Sequence, residues 1–186
     1  PLATTRRAFP LISSLSLAGV GADRTWVKII TWLLFAGWFS AVLDLLKVEE
    51  IRATLPLIRS ALISAFVRNE MYEDAINTAL GFSVSPVDEI DTLVSYAKAI
   101  INTPRKGEVR DVLGDALTKC DDLSDEDTKI RFLIRIASIY AEVGDISSAT
   151  KLAEELLNKI RSIDDEERRN MLLAVLVPAY FIIETY

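Results

Sequence analysis

The chain has 186 residues, 51% of them apolar and 26% charged, with a formal net charge of −6. That balance suits one well-cored domain or one short solenoid and excludes a disordered polyelectrolyte. The acidic surplus argues against nucleic acid, which needs a basic footprint, and the absence of histidine removes the commonest general base and zinc ligand.

At the N-terminus, TTRRAFPLISSLSLAGVGA (4–22) has the layout of an export signal, and Arg6, Arg7 and Phe9 resemble a twin-arginine motif. The segment is nevertheless expected to remain in the folded chain, with residues 5–18 forming a second helix whose first helix is missing. Next comes WVKIITWLLFAGWFSAVLDLL (26–46). Only fifteen uncharged residues separate Lys28 from Asp44, about 22 Å of helix at 1.5 Å per residue. A membrane span needs roughly twenty, and Gly37 favours a turn in the middle. The reading is therefore two short helices and no membrane span.

The same steps recur along the chain. From Trp26 they land on Ile29, Ile30, Leu33, Gly37, Phe39 and Val42. From Arg59 they land on Leu62, Ile63, Phe66, Glu70, Tyr72 and Ala75. From Leu93 they reach Tyr96, Ala97, Ile100, Pro104, Lys106 and Val109, a weaker copy. From Leu133 they reach Ile136, Ala137, Tyr140, Gly144, Ile146 and Ala149. Apolar residues three, four and seven apart form one helical stripe, a breaker follows, and a second stripe begins. Small residues such as Ala75 and Ala149 let two helices approach closely. A lone hairpin of this kind cannot bury both stripes, so neighbours must stack. The last spacing is stretched by about six residues, which the reading places in CDDLSDEDTK (120–129).

AEVGDISSA (141–149), NEMYEDAI (69–76) and Trp26 resemble the tetratricopeptide repeat family over roughly residues 23–163. HEAT-like and Sel1-like hairpin arrays stay open as relatives. The resemblance implies an all-α, right-handed superhelical stack of antiparallel helix hairpins, a TPR-like α-solenoid of about nine or ten helices. It would form a single domain over 1–186, with the orphan helix in 1–22, repeats at 23–55, 56–89, 90–129 and 130–166, and a capping helix at 167–186. Pro178 is expected to bend or shorten that last helix.

Function follows less directly. The acidic runs DDLSDED (121–127) and DDEE (164–167) offer oxygen ligands, but neither has the spacing of a calcium loop, and both stand where helix caps belong. No Gly-rich phosphate loop, cysteine pair or nucleophile motif appears. Cys120, the single cysteine, reads as a small hydrophobe near a helix end and fits a reducing, cytoplasmic setting. Many Lys, Arg and Glu suggest a thermophilic source. The expectation is a non-catalytic scaffold without metal or cofactor that binds a protein or peptide. The family resemblance implies a concave face lined by Leu34, Phe35, Val67, Arg68, Lys98, Ile101, Asn102, Arg131, Ser138 and Glu142. Its cations Arg68, Lys98 and Arg131 would favour an acidic peptide. Trp32, Leu34, Phe35 and Trp38 exceed what the first packing stripe needs, so they are read as a contact surface, or as ground covered by the helix at 5–18. The alternatives are self-assembly through the first hairpin or the C-terminal helix, and a regulatory domain of a larger enzyme.

Overall fold

A computed structural model of the chain describes residues 22–52 and 54–185; the expected helix at 5–18 lies outside them. All regular structure among the described residues is helical. The chain divides into two compact units, Pro1–Ala75 and Ile76–Tyr186.

The first unit contains α1 (Ala22–Phe35), α2 (Phe39–Leu45), a single turn at Glu49–Arg52, α3 (Leu55–Arg68) and the start of α4 (Tyr72–Gly81). The stripe counted from Trp26 is its core: Trp26, Ile30, Leu33 and Val42 are buried, and α1 packs on both α2 and α3. Phe66, fully buried, holds Phe39 with ring centroids 4.8 Å apart. Arg59 takes the anchor position filled elsewhere by Trp26, Leu93 and Leu133, and like Trp26 and Leu93 it is buried.

The breakers work through one backbone device. Gly37, Glu70 and Gly144 all have positive φ, at 76°, 61° and 90°. After each, the next N–H donates to a carbonyl five residues back: Trp38 to Leu33, Met71 to Phe66 and Asp145 to Tyr140. This is the six-to-one closure of a left-handed helix C-terminus, which satisfies a carbonyl the helix would otherwise leave bare. The third repeat stands apart because Pro104 occupies the equivalent place, and a proline ring holds φ negative.

The second unit holds α5 (Pro86–Ile100), a 3-10 turn (Pro104–Glu108), α6 (Val109–Asp121), α7 (Glu126–Val143), α8 (Ile146–Arg161) and α9 (Glu166–Glu184). Ser85, Asp125 and Asp165 cap α5, α7 and α9, accepting from the N–H three residues on at 3.2, 3.0 and 3.0 Å. These caps fall 40 residues apart (85, 125, 165) and each closes a four-residue connection. The connection within 120–129 is therefore no longer than its counterparts. The long connection lies between α5 and α6, where residues 101–108 span what Gly144 and Asp145 span between α7 and α8. Without a left-handed stop after Ile100, the chain needs a 3-10 turn to reverse.

Packing follows chain order here. α5 pairs with α6 and α7 with α8; α7 also touches α5 and α6, and α9 touches α7 and α8. Ile130, Ile134, Leu156, Ile160, Leu172, Leu176 and Ala179 form one buried cluster of α7, α8 and α9. Each large member contributes about 1.5–3 kcal/mol on leaving water. Pro178 does not shorten α9, which continues to Glu184. Ala174 and Pro178 both lie on the exposed face, so the Ala174 carbonyl that loses its helical donor meets water, while Leu176 and Ala179 hold the inner face.

Candidate functional site

Both acidic runs resolve as caps through Asp125 and Asp165. No group of His, Cys, Asp or Glu that could hold a metal ion occurs among the described residues. Cys120 is buried, and that burial pushes its thiol up to about 11, leaving no thiolate at neutral pH. No helix among the described residues is long and apolar enough to cross a membrane.

The expected concave lining separates into three groups. Leu34, Val67 and Ile101 are only 4%, 4% and 6% exposed and belong to the core. Their helical positions were one step off the counted stripe, but the buried arc of each helix is wider than that stripe, so they present nothing to a partner. Lys98 and Glu142 form a salt bridge with each other, from α5 to α7. Two turns away Arg135 donates to Asp91 at 2.6 Å with the polarity reversed, and Arg168 of α9 donates to Asp127 of α7 at 2.8 Å. Arg131 donates to the Met171 sulfur at 3.5 Å, a weak acceptor. These contacts tie α7 to α5 on one side and to α9 on the other. At Lys98 the expected cation is thus matched by a carboxylate of the same expected lining. Ser138 is half-buried and spends its hydroxyl on Ile134 O at 3.0 Å. Arg68 and Asn102 are exposed.

The surplus aromatics of the first hairpin are exposed; the helix at 5–18 expected as their alternative cover lies outside the described residues. Trp32 is 62% exposed, Phe35 90% and Trp38 38%, and the two indoles meet edge to face at 5.9 Å. Large rings held in mutual contact in solvent are unusual, because burying them would release ordered water. Leu57 of α3, 68% exposed, is a further large apolar side chain on this unit that sequence reasoning passed over.

A second apolar surface lies on α9. Met171, Val175, Val177 and Phe181 are exposed, and no charged residue intervenes between Arg169 and Glu184. Between α8 and α9 opens a groove of about 450 Å³, walled by Leu157, Leu173, Leu176 and Val177 and ending at Tyr180, Phe181 and Glu184. The Tyr180 hydroxyl is shut off from solvent without a hydrogen-bond partner. Burial and the nearby Glu154 charge raise its pKa, while Arg161 opposes them. The C-terminal helix was expected to act as a cap, with contact through it only in the self-assembly alternative, and the groove was not foreseen. Its sequence signal is the uncharged run after Arg168 and Arg169. A further depression between α5 and α6 is lined by Leu80, Leu93 and Asp115 among others, and its one cation, Lys119, is engaged by Glu89.

No protein-family model, curated protein or solved structure matches the chain.

Proposed function

We propose that the protein is a non-catalytic helical-hairpin scaffold whose first hairpin binds a protein partner. The supporting observation is the contact of Trp32 and Trp38 in solvent beside Phe35, since interface anchors are enriched in such rings. The 40-residue interval between caps in the second unit is longer than the 34 of a tetratricopeptide unit and closer to that of HEAT-like arrays. A stack of hairpins, rather than that one family, is the reading this interval favours. Self-assembly is the second reading, and the same aromatic cluster favours it, because a second copy can bury those rings equally well.

The test replaces Trp32 and Phe35 with serine, both on the exposed side of α1. The variant is expected to keep its thermal midpoint but lose either a captured partner or a concentration-dependent dimer in sedimentation. The first loss supports the scaffold reading and the second the self-assembly reading. Unchanged capture by a monomeric variant overturns the assignment of this surface.

A further inference from the structure

The caps Ser85, Asp125 and Asp165 set α5, α7 and α9 in one register, so residues 40 apart hold equivalent places. α7 shows which sides of such a helix its neighbours cover. With α8 and α9 packed on it, Ala137 and Ala141 are fully buried, while Arg131 and Arg135 stay exposed. The same places in α9 are held by Val177 and Phe181, and by Met171 and Val175. A hairpin partner would thus hide the Val177 side of α9 and leave the Met171 side in water. Three contacts make that second side continuous across the unit. Asp91 with Arg135 and Lys98 with Glu142 join α5 to α7, and Arg131 reaches from α7 to Met171 of α9.

The chemistry changes along this face. Where α7 has Arg131, Arg135 and Ser138, α9 has Met171, Val175 and Pro178, all three exposed. The cations are matched with one exception. Lys98, Arg135 and Arg168 each meet a carboxylate, on Glu142, Asp91 and Asp127. Arg131 has no carboxylate partner among the described residues, and its hydrogen bond goes to the Met171 sulfur. In a chain of net charge −6 that unmatched guanidinium is the exception. Its spare donors suit a carboxylate, and the apolar strip beside it strengthens such a pair once water is displaced.

We propose that the face shared by α7 and α9 binds a segment of a partner protein in which one Asp or Glu stands beside large apolar residues. The carboxylate pairs with Arg131, and the apolar side chains cover Met171, Val175 and Pro178 and release the water over them. The pairs on the α5 side leave no second free cation there, so a single acid is recognised rather than an acidic run. The inference rests on the scaffold reading and gives it a second surface and a ligand class.

The probes are three arrays of synthetic peptides of about ten residues, incubated with the full chain. Each peptide holds two Leu or Phe residues at varied spacing from one acid, from its amide, or from Lys. The acidic array should be preferred, and its best member, titrated by fluorescence anisotropy, should saturate with a Kd of roughly tens of micromolar. Arg131→Gln should weaken that member about tenfold yet change its amide twin less than about twofold, the coupling expected of direct pairing. Val175→Ser should weaken the acid and amide peptides alike, and the preference for the acid should fade as salt is raised. Arg131 and Val175 are exposed, so both variants should fold, and circular dichroism checks that they do. The proposal is overturned if the arrays bind alike or not at all, if Arg131→Gln affects acid and amide peptides equally, or if Val175→Ser changes nothing. A dimer that Arg131→Gln dissolves would assign the face to a second copy and overturn it as well. Trp32 and Phe35 belong to the other unit, so their serine variant tests the scaffold reading independently.

Discussion

Glu70→Gly should stabilise the first unit. Glu70 sits at φ 61°, in the left-handed region where a Cβ crowds the following carbonyl at a cost of about 1–2 kcal/mol. Glycine pays no such penalty in the folded chain but adds about 0.5–1 kcal/mol of unfolded-state freedom. The difference leaves roughly 0.5–1 kcal/mol in favour of the variant. The two natural analogues support the comparison, since a Cβ built on Gly37 or Gly144 meets nothing within 4 Å. Backbone conformation alone sets the cost at these positions. Urea unfolding followed by tryptophan fluorescence is the assay, because Trp26, Trp32 and Trp38 all belong to the first unit and report on it selectively. With an m-value near 1.5 kcal/mol/M the midpoint should rise by about 0.3–0.7 M. Glu70→Ala removes the same exposed charge but keeps the strain, and it should move the midpoint by less than about 0.5 kcal/mol in equivalent stability. Equal midpoints for the glycine and alanine variants, or a fall with glycine, would refute the strain argument.

Three further expectations use the same logic elsewhere. Pro178→Ala restores a helical donor to the Ala174 carbonyl on an exposed face and should raise stability by about 1–3 kcal/mol, read by far-UV circular dichroism; a loss would mean that the proline ring packs better than its exposure suggests. Asp145 caps α8 through the Ser148 N–H and accepts from Arg110 at 2.7 Å. Burial works against its charge, yet these bonds outweigh burial and hold its pKa below the usual carboxylate value. Its folded pKa lies below the unfolded value of about 3.9, so its contribution is present above pH 4 and is lost as pH falls through the folded pKa. Asp145→Asn keeps a cap but not the charge, and its stability gap from the parent should narrow in acid urea titrations; a gap constant with pH would sink the assignment. Phe66→Ala should cost about 3–5 kcal/mol in tryptophan-detected unfolding, since it empties a fully buried site packed against Phe39, and a loss under 1 kcal/mol would contradict the packing.

Much of this architecture was legible because one physical constraint, the 3.6-residue period, writes itself directly into spacing. The positions counted from Trp26, Arg59, Leu93 and Leu133 are largely core, and the breakers Gly37, Glu70 and Gly144 end helices where expected. The long connection between α5 and α6 was not legible, because Pro104 hides the reversal inside a 3-10 turn that has no apolar period of its own. The site was read less well. Leu34, Val67 and Ile101 looked surplus to the stripe, yet a helix packed on two sides buries an arc wider than any single count. Lys98 looked like a free cation because its partner Glu142 lies 44 residues away, beyond any local pattern. Exposed aromatics, by contrast, announced themselves as more ring than the fold could use.

The two ion pairs joining α5 to α7 share one offset, Asp91 with Arg135 and Lys98 with Glu142, and they carry opposite polarity. Sliding α7 by two turns, about 10 Å, would bring Glu142 opposite Asp91 or Arg135 opposite Lys98, and like charges would collide either way. A slide of one turn leaves at most one match, with Arg131 standing in for Arg135 and Ser138 left facing Lys98. Greasy helices that would otherwise glide past one another are thereby keyed to a single alignment, at sites too wet for the pairs to add much strength of their own.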